Sequence, residues 1–447
     1  MDITTRLAGE LAGIDTLNER DREQLRLLIL DFFAASYAGY ALNRGLNDAV
    51  GAVLLPRDGR EESSVLLSAR RYPAPTAASL NALYAHGADF DDGNKKAMGH
   101  IGVDVIPAVF ALAETLDSSD EDVLTALAVG YEAFIRICSA AQPGMVKRGF
   151  HSTSMGGTLA CAAACAKLLG LDARGMENAI ALATTMTGGL LSYGDSRPEI
   201  KPLNPMKAAE NGVFAALLAQ QGVEGPEEAL EGQNGWFHAA ADGADETMLR
   251  GAADGHLLLH DCYLKLYPSC RHTHCGIEAA SKLFARCAGE EIERVEVDIY
   301  PNAIHLAGQI RYPKNAGDTK FSIAYTLACA LEKGAYGVED MVHPHPTGRT
   351  RELIDRVTLI PDEQMEDRAK GIRGTRVRVF FKSGGTAEET VLVPKGEQPF
   401  PLTKEDVLVK LRMCVGGQLT AEQLDALVRR IDGMGGAKRF AYPARLV

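Results

Sequence analysis

The sequence predicts a mainly α protein, in which a large all-helical domain is built from both chain ends and a smaller α+β domain is set between them. Three observations carry this prediction. Apolar residues recur at helical spacing through the first two-thirds of the chain. Period-2 alternation does not appear before about residue 294. Beyond Pro401 the helical spacing returns. The boundaries read as 1–264 with 397–447 for the helical domain, and 265–396 for the α+β domain.

Residues 25–37 (LRLLILDFFAASY) are nearly continuous apolar and predict a helix buried on most sides. Residues 75–88 are rich in Ala and Leu, with Pro75 placed to start a helix. Residues 103–116 form the next helix. Ser118 and Glu121 then fit a capping box ahead of another apolar stripe. Residues 156–170 and 173–186 are Ala-rich, which suits closely packed helices, and 206–221 is a further one. Pro198, Pro202 and Pro205 predict an irregular loop before it. The acidic, Gly/Ala-rich stretch 232–255 reads as a loop or linker. Val295, Val297 and Ile299 then alternate with Glu296, Asp298 and Tyr300 as a strand. Residues 376–381 and 390–393 form a hairpin through Ser383-Gly384-Gly385. Helices over 319–333 and near 351–356 lie between the strand and the hairpin. Thr403 opens a helix, and Thr420 with Gln423 caps the last one.

The charges, 47 Lys+Arg against 59 Asp+Glu, leave a net −12 over 447 residues. That balance argues against nucleic acid as a partner. It leaves room for a small anionic substrate held by a local cluster of Lys, Arg and His. Nine cysteines cannot all pair within one chain, and several sit in apolar helical runs, which suits a reducing compartment. The first residues lack the apolar core of a signal peptide. The stretch 159–171 is interrupted by Lys167 and too short to span a bilayer. The expectation is a cytoplasmic protein without membrane association. Neither a P-loop, a G-x-G-x-x-G between strand and helix, an H-E-x-x-H nor a G-x-S-x-G is present.

Four constellations remain. Residues 86–100 place Asp89, Asp91 and Asp92, then Lys95 and Lys96, then His100 at the end of an apolar helix. A solvated helix end accounts for about half of that pattern, with Asp91 and Asp92 its natural members. Residues 147–154 bring Lys147, Arg148, His151 and three hydroxyls to a helix start, where an anion is favoured. Residues 192–207 carry Lys201 and Lys207 among prolines. Residues 265–275 (KLYPSCRHTHC) hold Lys265, Cys270, Arg271, His272 and His274. Cys270, His272 and His274 could face one metal if extended. Their spacing matches no zinc pattern, though, and Arg271 would oppose a dication, so anion binding is preferred and no metal is expected.

Taken together, ADFDD (88–92) with His100, GFHSTSMGGTLACAAACAKLLGLD (149–172), KPLNPMKAAENG (201–212), KLYPSCRHTH (265–274) and KFSIAYTLACAL (320–331) resemble the MmgE/PrpD family. That family includes 2-methylcitrate dehydratase, cis-aconitate decarboxylase and iminodisuccinate epimerase. The resemblance implies a helical domain from both chain ends, a smaller α+β lid domain, a homodimer and no cofactor. It carries over Asp89, His100, His151, Lys201 and Tyr325 as catalytic positions. Lys265 carries over as a substrate-binding position, and Arg271, Cys270 and His274 of the same segment are assigned to substrate binding beside it. The threonine and the histidine of the decarboxylase pattern are Gly93 and Cys270 here, which makes decarboxylation the least expected chemistry. The implied activity is a dehydratase-type lyase on a di- or tricarboxylate such as a methylcitrate-like acid. An imino-dicarboxylate epimerase, a cis-aconitate-type decarboxylase and a non-catalytic binding protein are the alternatives. Lys201, Lys265 and Arg271 would stabilise charge beside a carboxylate. His100 and His151 would exchange protons. Asp89 would act as base or orient a histidine, and Tyr325 would donate a proton or anchor substrate.

Overall fold

The helix Ser152–Leu168 lies at the centre of the helical region and is buried from Ser152 to Ala166. It packs on the helices Gly102–Leu116, Asp120–Ala140, Ala173–Thr184 and Leu203–Gln220. The Ala-rich composition of these segments permits the close approach. The computed structural model describes residues 2–54, 59–195, 198–344, 346, 348–367 and 370–446, and the chain is mainly α. The helices Glu19–Leu42 and Asp120–Ala140 are long and apolar enough to cross a bilayer. Most of the first and all of the second, over their most apolar stretches, is nevertheless buried inside the molecule.

A second set of contacts builds the floor of the site. Glu19–Leu42 packs on Ala74–His86 and on Lys404–Val415, so a helix from the C-terminal end completes the helical region. Gly39 and Gly87 make this approach possible: a Cβ on Gly39 would lie 1.9 Å from the Tyr84 carbonyl oxygen. The helix ending at His86 therefore sits directly on its neighbour.

Four strands form the sheet of the smaller region: β1 (Ile292–Ile299), β2 (Val357–Pro361), β3 (Thr375–Phe381) and β4 (Thr386–Val391). The order is β2-β1-β3-β4, with β1 parallel to β2 and antiparallel to β3. Val295, Val297 and Ile299 are buried, as the alternation requires. The helix Arg271–Cys287 covers β3 and β4 with an apolar face of Ile277, Ala280 and Leu283.

Several elements differ from the sequence expectation. The capping box is Ser119 and Asp122 rather than Ser118 and Glu121. Asp117 closes the preceding helix in a left-handed conformation, which shifts the next start by one residue, and Glu121 instead pairs with Arg22. The stretch 232–255 contains the helix Trp236–Ala241, because Trp236 and Phe237 bury their rings. The loop expected through Pro205 ends sooner: residues 196–197 lie outside the described residues, and the helix Leu203–Gln220 holds Pro205 in its first turn. The second hairpin strand begins at Thr386 rather than 390, and β2 was not anticipated. The helix expected over 319–333 is broken into Ala316–Thr319 and Ile323–Lys333, with Ser322 capping the second. Thr403 and Thr420 open their helices with capping boxes as expected.

Candidate active site

Helix Ala74–His86 ends one residue before Gly87, and the chain then turns sharply through Asp89, whose φ is 53°. Such a left-handed conformation is uncommon outside glycine and best tolerated by Asp or Asn. The three carboxylates that follow separate into three roles. Asp89 accepts hydrogen bonds on Oδ1 from Lys201 Nζ at 2.9 Å and Lys265 Nζ at 2.7 Å. Asp91 lies within 3.0 Å of His86 Nδ1 and 2.9 Å of His100 Nδ1. Asp92 accepts from the Gly102 amide at 2.9 Å and the Tyr131 hydroxyl at 2.6 Å, which fixes the start of helix Gly102–Leu116. Asp91 is thus a member of the cluster and Asp92 a buried cap, in correction of the expected place of both at a solvated helix end. Spacing could not separate the two.

Lys265 also donates to the Asp89 carbonyl at 2.7 Å. Lys201, Lys265 and Asp89 are 7%, 1% and 1% exposed, so the ion pair is screened from water. Burial alone would push the Asp89 carboxyl up, but Lys201 and Lys265 outweigh it and hold it well below the usual range. Burial similarly opposes the charge on Lys201, and Asp89 more than restores it. Asp91 is held low in the same way by His100 and His86 against its burial. Burial pushes the His86 imidazole down to about 4, so it is neutral near pH 7.

His151 stands at the N-cap of helix Ser152–Leu168, with Nδ1 3.1 Å from Asn204 Nδ2. Its ring lies 6.0 Å from that of His86 and 5.5 Å from that of Tyr193. Burial and the nearby Lys201 push its pKa well down. His100 Nε2 is 3.7 Å from Asp89 Oδ1, and its backbone amide donates to Thr153 Oγ1 at 3.1 Å. Asp89, His100, His151, Lys201 and Lys265 are therefore gathered around one buried point, drawn from four separated segments.

Two residues join them that sequence patterning did not single out. Lys320 occupies the break between Ala316–Thr319 and Ile323–Lys333, and its Nζ donates to the Gly87 carbonyl at 3.0 Å. It has no carboxylate partner among the described residues. Burial lowers it to about 8, and Lys201 and Lys265 reinforce the shift. Lys410 is fully buried and donates to Asp31 at 2.6 Å, the Phe90 carbonyl at 2.5 Å and the Lys265 carbonyl at 3.1 Å. It ties together the two strands of chain that carry Asp89 and Lys265. Only the place of Lys320 inside KFSIAY hinted at the first, and nothing local marked the second.

The remaining predicted residues divide. Cys270 caps helix Arg271–Cys287, is partly exposed, and its amide donates to the Lys320 carbonyl at 2.9 Å; burial raises its thiol pKa. Arg271 is paired with Glu397, whose second oxygen lies 2.8 Å from Lys95 Nζ, so its guanidinium is held by a carboxylate of the protein. His274 donates from Nε2 to the Ser269 carbonyl of its own turn at 3.2 Å while packing on Tyr267. Tyr325 is not brought to the cluster: its hydroxyl donates to the Asp340 carbonyl at 2.7 Å beside a separate cavity of about 250 Å³. Helix Ile323–Lys333 turns that face toward the segment 338–342. The Lys95 ammonium is occupied by Glu397 and the Gly371 carbonyl.

A metal finds two potential places. Cys270, His272 and His274 lie at the start of a helix, not on a strand, so residues two apart diverge and His272 bonds Tyr300 instead. His86, Asp89, Asp91 and His100 bring ligand-type atoms within 4.8 Å of one another. The Asp89 oxygen there already accepts from two ammonium groups, which a dication would have to displace. The donor set therefore fits an anion site better than a metal centre.

A mainly helical protein with a smaller α+β region and a buried lysine–carboxylate–histidine cluster defines the class to which this chain is assigned. The chain belongs to the MmgE/PrpD family: its residues 10–248 match the MmgE/PrpD N-terminal domain and 267–432 match the C-terminal domain. It is 30% identical over 390 residues to the cis-aconitate decarboxylase-like protein oryM of Aspergillus oryzae, covering 81% of this chain and 80% of that protein. It is 28% identical to the cis-aconitate decarboxylase of Homo sapiens, over 81% of this chain and 77% of the relative. The cis-aconitate decarboxylase of Aspergillus terreus is likewise 28% identical, over 80% and 79%.

Proposed function

We propose that this chain is a cofactor-independent lyase that acts on a small di- or tricarboxylate by removing a proton next to a carboxylate, in a dehydratase-type reaction. The observation that carries this is the convergence of Lys201 and Lys265 on Asp89, with Lys320 behind them and two histidines beside them. Lysines arranged so stabilise negative charge that grows on a carboxylate during proton removal. The third, unpaired ammonium leaves the cluster with positive charge to spare for an anion.

Two positions support dehydration over decarboxylation. A Cβ on Gly93 would lie 2.4 Å from the Tyr263 hydroxyl, so a threonine there would have to displace the Tyr263 ring. Cys270 offers a thiol where the decarboxylase pattern has an imidazole. Decarboxylation is the second reading, and the activity named for the relatives supports it. Epimerisation of an imino-dicarboxylate would use the same proton removal with return to the other face.

The test is proton NMR in heavy water with citrate, methylcitrate, cis-aconitate and an imino-dicarboxylate. A new vinylic signal without CO₂ is the expected result. Stoichiometric CO₂ would overturn dehydration in favour of the second reading. Deuterium at an sp³ carbon with inverted chirality would favour the epimerase. An unchanged panel would favour a binding protein.

A further inference from the structure

His100 lies beside Asp89 and His151 beside His86, on different segments, and each has its Nδ1 occupied by a partner of opposite kind. His100 Nδ1 lies 2.9 Å from Asp91 Oδ2 and 2.7 Å from the Asp92 carbonyl. An ionised carboxylate and a carbonyl can only accept, so this nitrogen carries the proton; in the neutral ring Nε2 then carries the lone pair, with Asp89 Oδ1 at 3.7 Å, beyond hydrogen-bond distance. His151 Nδ1 lies 3.1 Å from the Asn204 amide nitrogen, which can only donate. The neutral His151 ring therefore holds its proton on Nε2. The orientation of the Asn204 amide has independent support, because the same nitrogen faces the Leu190 carbonyl at 3.4 Å. The reversed amide would set two oxygens against each other.

We propose that Asp91 and Asn204 set these two histidines in opposite tautomers, making His100 Nε2 the proton acceptor and His151 Nε2–H a neutral hydrogen-bond donor to the substrate carboxylate. This inference rests on the lyase reading above. The C–H bond next to the carboxylate breaks, its proton goes to His100 Nε2, and the electron pair spreads into the carboxylate. The resulting imidazolium keeps its Nδ1–H on Asp91. The pair then forms the carbon–carbon double bond as the β-hydroxyl leaves, taking the proton from His100 as water. His151 keeps its proton throughout, since losing it would create an imidazolate. Burial and Lys201 keep its ring from charging, against the pull of Asp89. Asp91 bonds His86 and His100, and the Asn204 amide bonds His151 and the Leu190 carbonyl, so both act through the histidines as positioning residues.

The test is long-range proton–nitrogen NMR of the full-length protein carrying nitrogen-15 histidine, without substrate and above the imidazole titration range. Signals are assigned by their loss in His100→Gln and His151→Gln. The expected pattern is protonated Nδ1 with bare Nε2 for His100, and the reverse for His151. In Asn204→Asp the new carboxylate accepts, so the His151 pattern should invert or become doubly protonated. The same tautomer in both rings, a doubly protonated His100, or a His151 pattern unmoved by Asn204→Asp would overturn the proposal. Because this readout needs no substrate, a failed lyase assay leaves it standing. A working lyase with the wrong tautomers refutes it alone.

Discussion

The ammonium groups of Lys201 and Lys265 meet on one oxygen, 2.9 and 2.7 Å from Asp89 Oδ1. Two cations sharing one buried acceptor hold more positive charge than the acceptor cancels. An incoming carboxylate can take up that excess, provided the cluster opens to admit it.

Lys201→Ala and Lys265→Ala should each lose about 2–4 kcal/mol of transition-state stabilisation, on the order of 10²- to 10³-fold in turnover. Lys265→Ala should also melt at lower temperature, because it releases the Asp89 carbonyl as well as the carboxylate. Steady-state rates and thermal melts check both. Near-parental turnover in either variant would remove that lysine from the site.

Lys320 should impose an alkaline limit. A lysine lowered to about 8 is an ammonium below that pH and an amine above it. The anion-binding charge is therefore lost as pH rises, and kcat/KM, which reports the free enzyme, should fall above pH 8. In Lys320→Arg the limb should move beyond the measurable range, since guanidinium stays charged. A limb that does not move in this variant would assign it to another group.

Gly93 and Tyr263 should be coupled. Gly93→Thr drives a Cβ into the Tyr263 ring and close to the Gly99 carbonyl. Overpacking of this kind costs roughly 1–3 kcal/mol. Pairing it with Tyr263→Ala should recover part of that loss, so a double-mutant cycle of melting temperatures should be non-additive. Additive losses would mean that the threonine finds another space.

Chelation should leave activity intact, and elemental analysis should find no stoichiometric metal. The reason is the pair of ammonium groups already on Asp89, one of the four groups an ion in this cluster would use. A tightly bound divalent ion at one per chain would overturn this and reassign His86, Asp89, Asp91 and His100 as its ligands.

The sequence by itself determined the helical majority, the lone alternating strand, the hairpin, the caps at Thr403 and Thr420, and the candidate segments around Asp89, His100, His151, Lys201 and Lys265. These are short-range matters, because periodicity and capping depend on residues a few positions apart. Only the tertiary structure decided which carboxylate does what. Asp89, Asp91 and Asp92 are equivalent in spacing, but a left-handed turn at Asp89 sends them to lysines, histidines and a helix start respectively. It also withdrew Arg271 into a pair with Glu397, 126 residues away, and Tyr325 onto Asp340. It brought Lys320 in through a break that helical propensity did not reveal. Lys410 reached the Phe90 carbonyl across 320 residues. Buried charges must find partners wherever packing puts them, and packing joins segments whose separation along the chain carries no record of the contact.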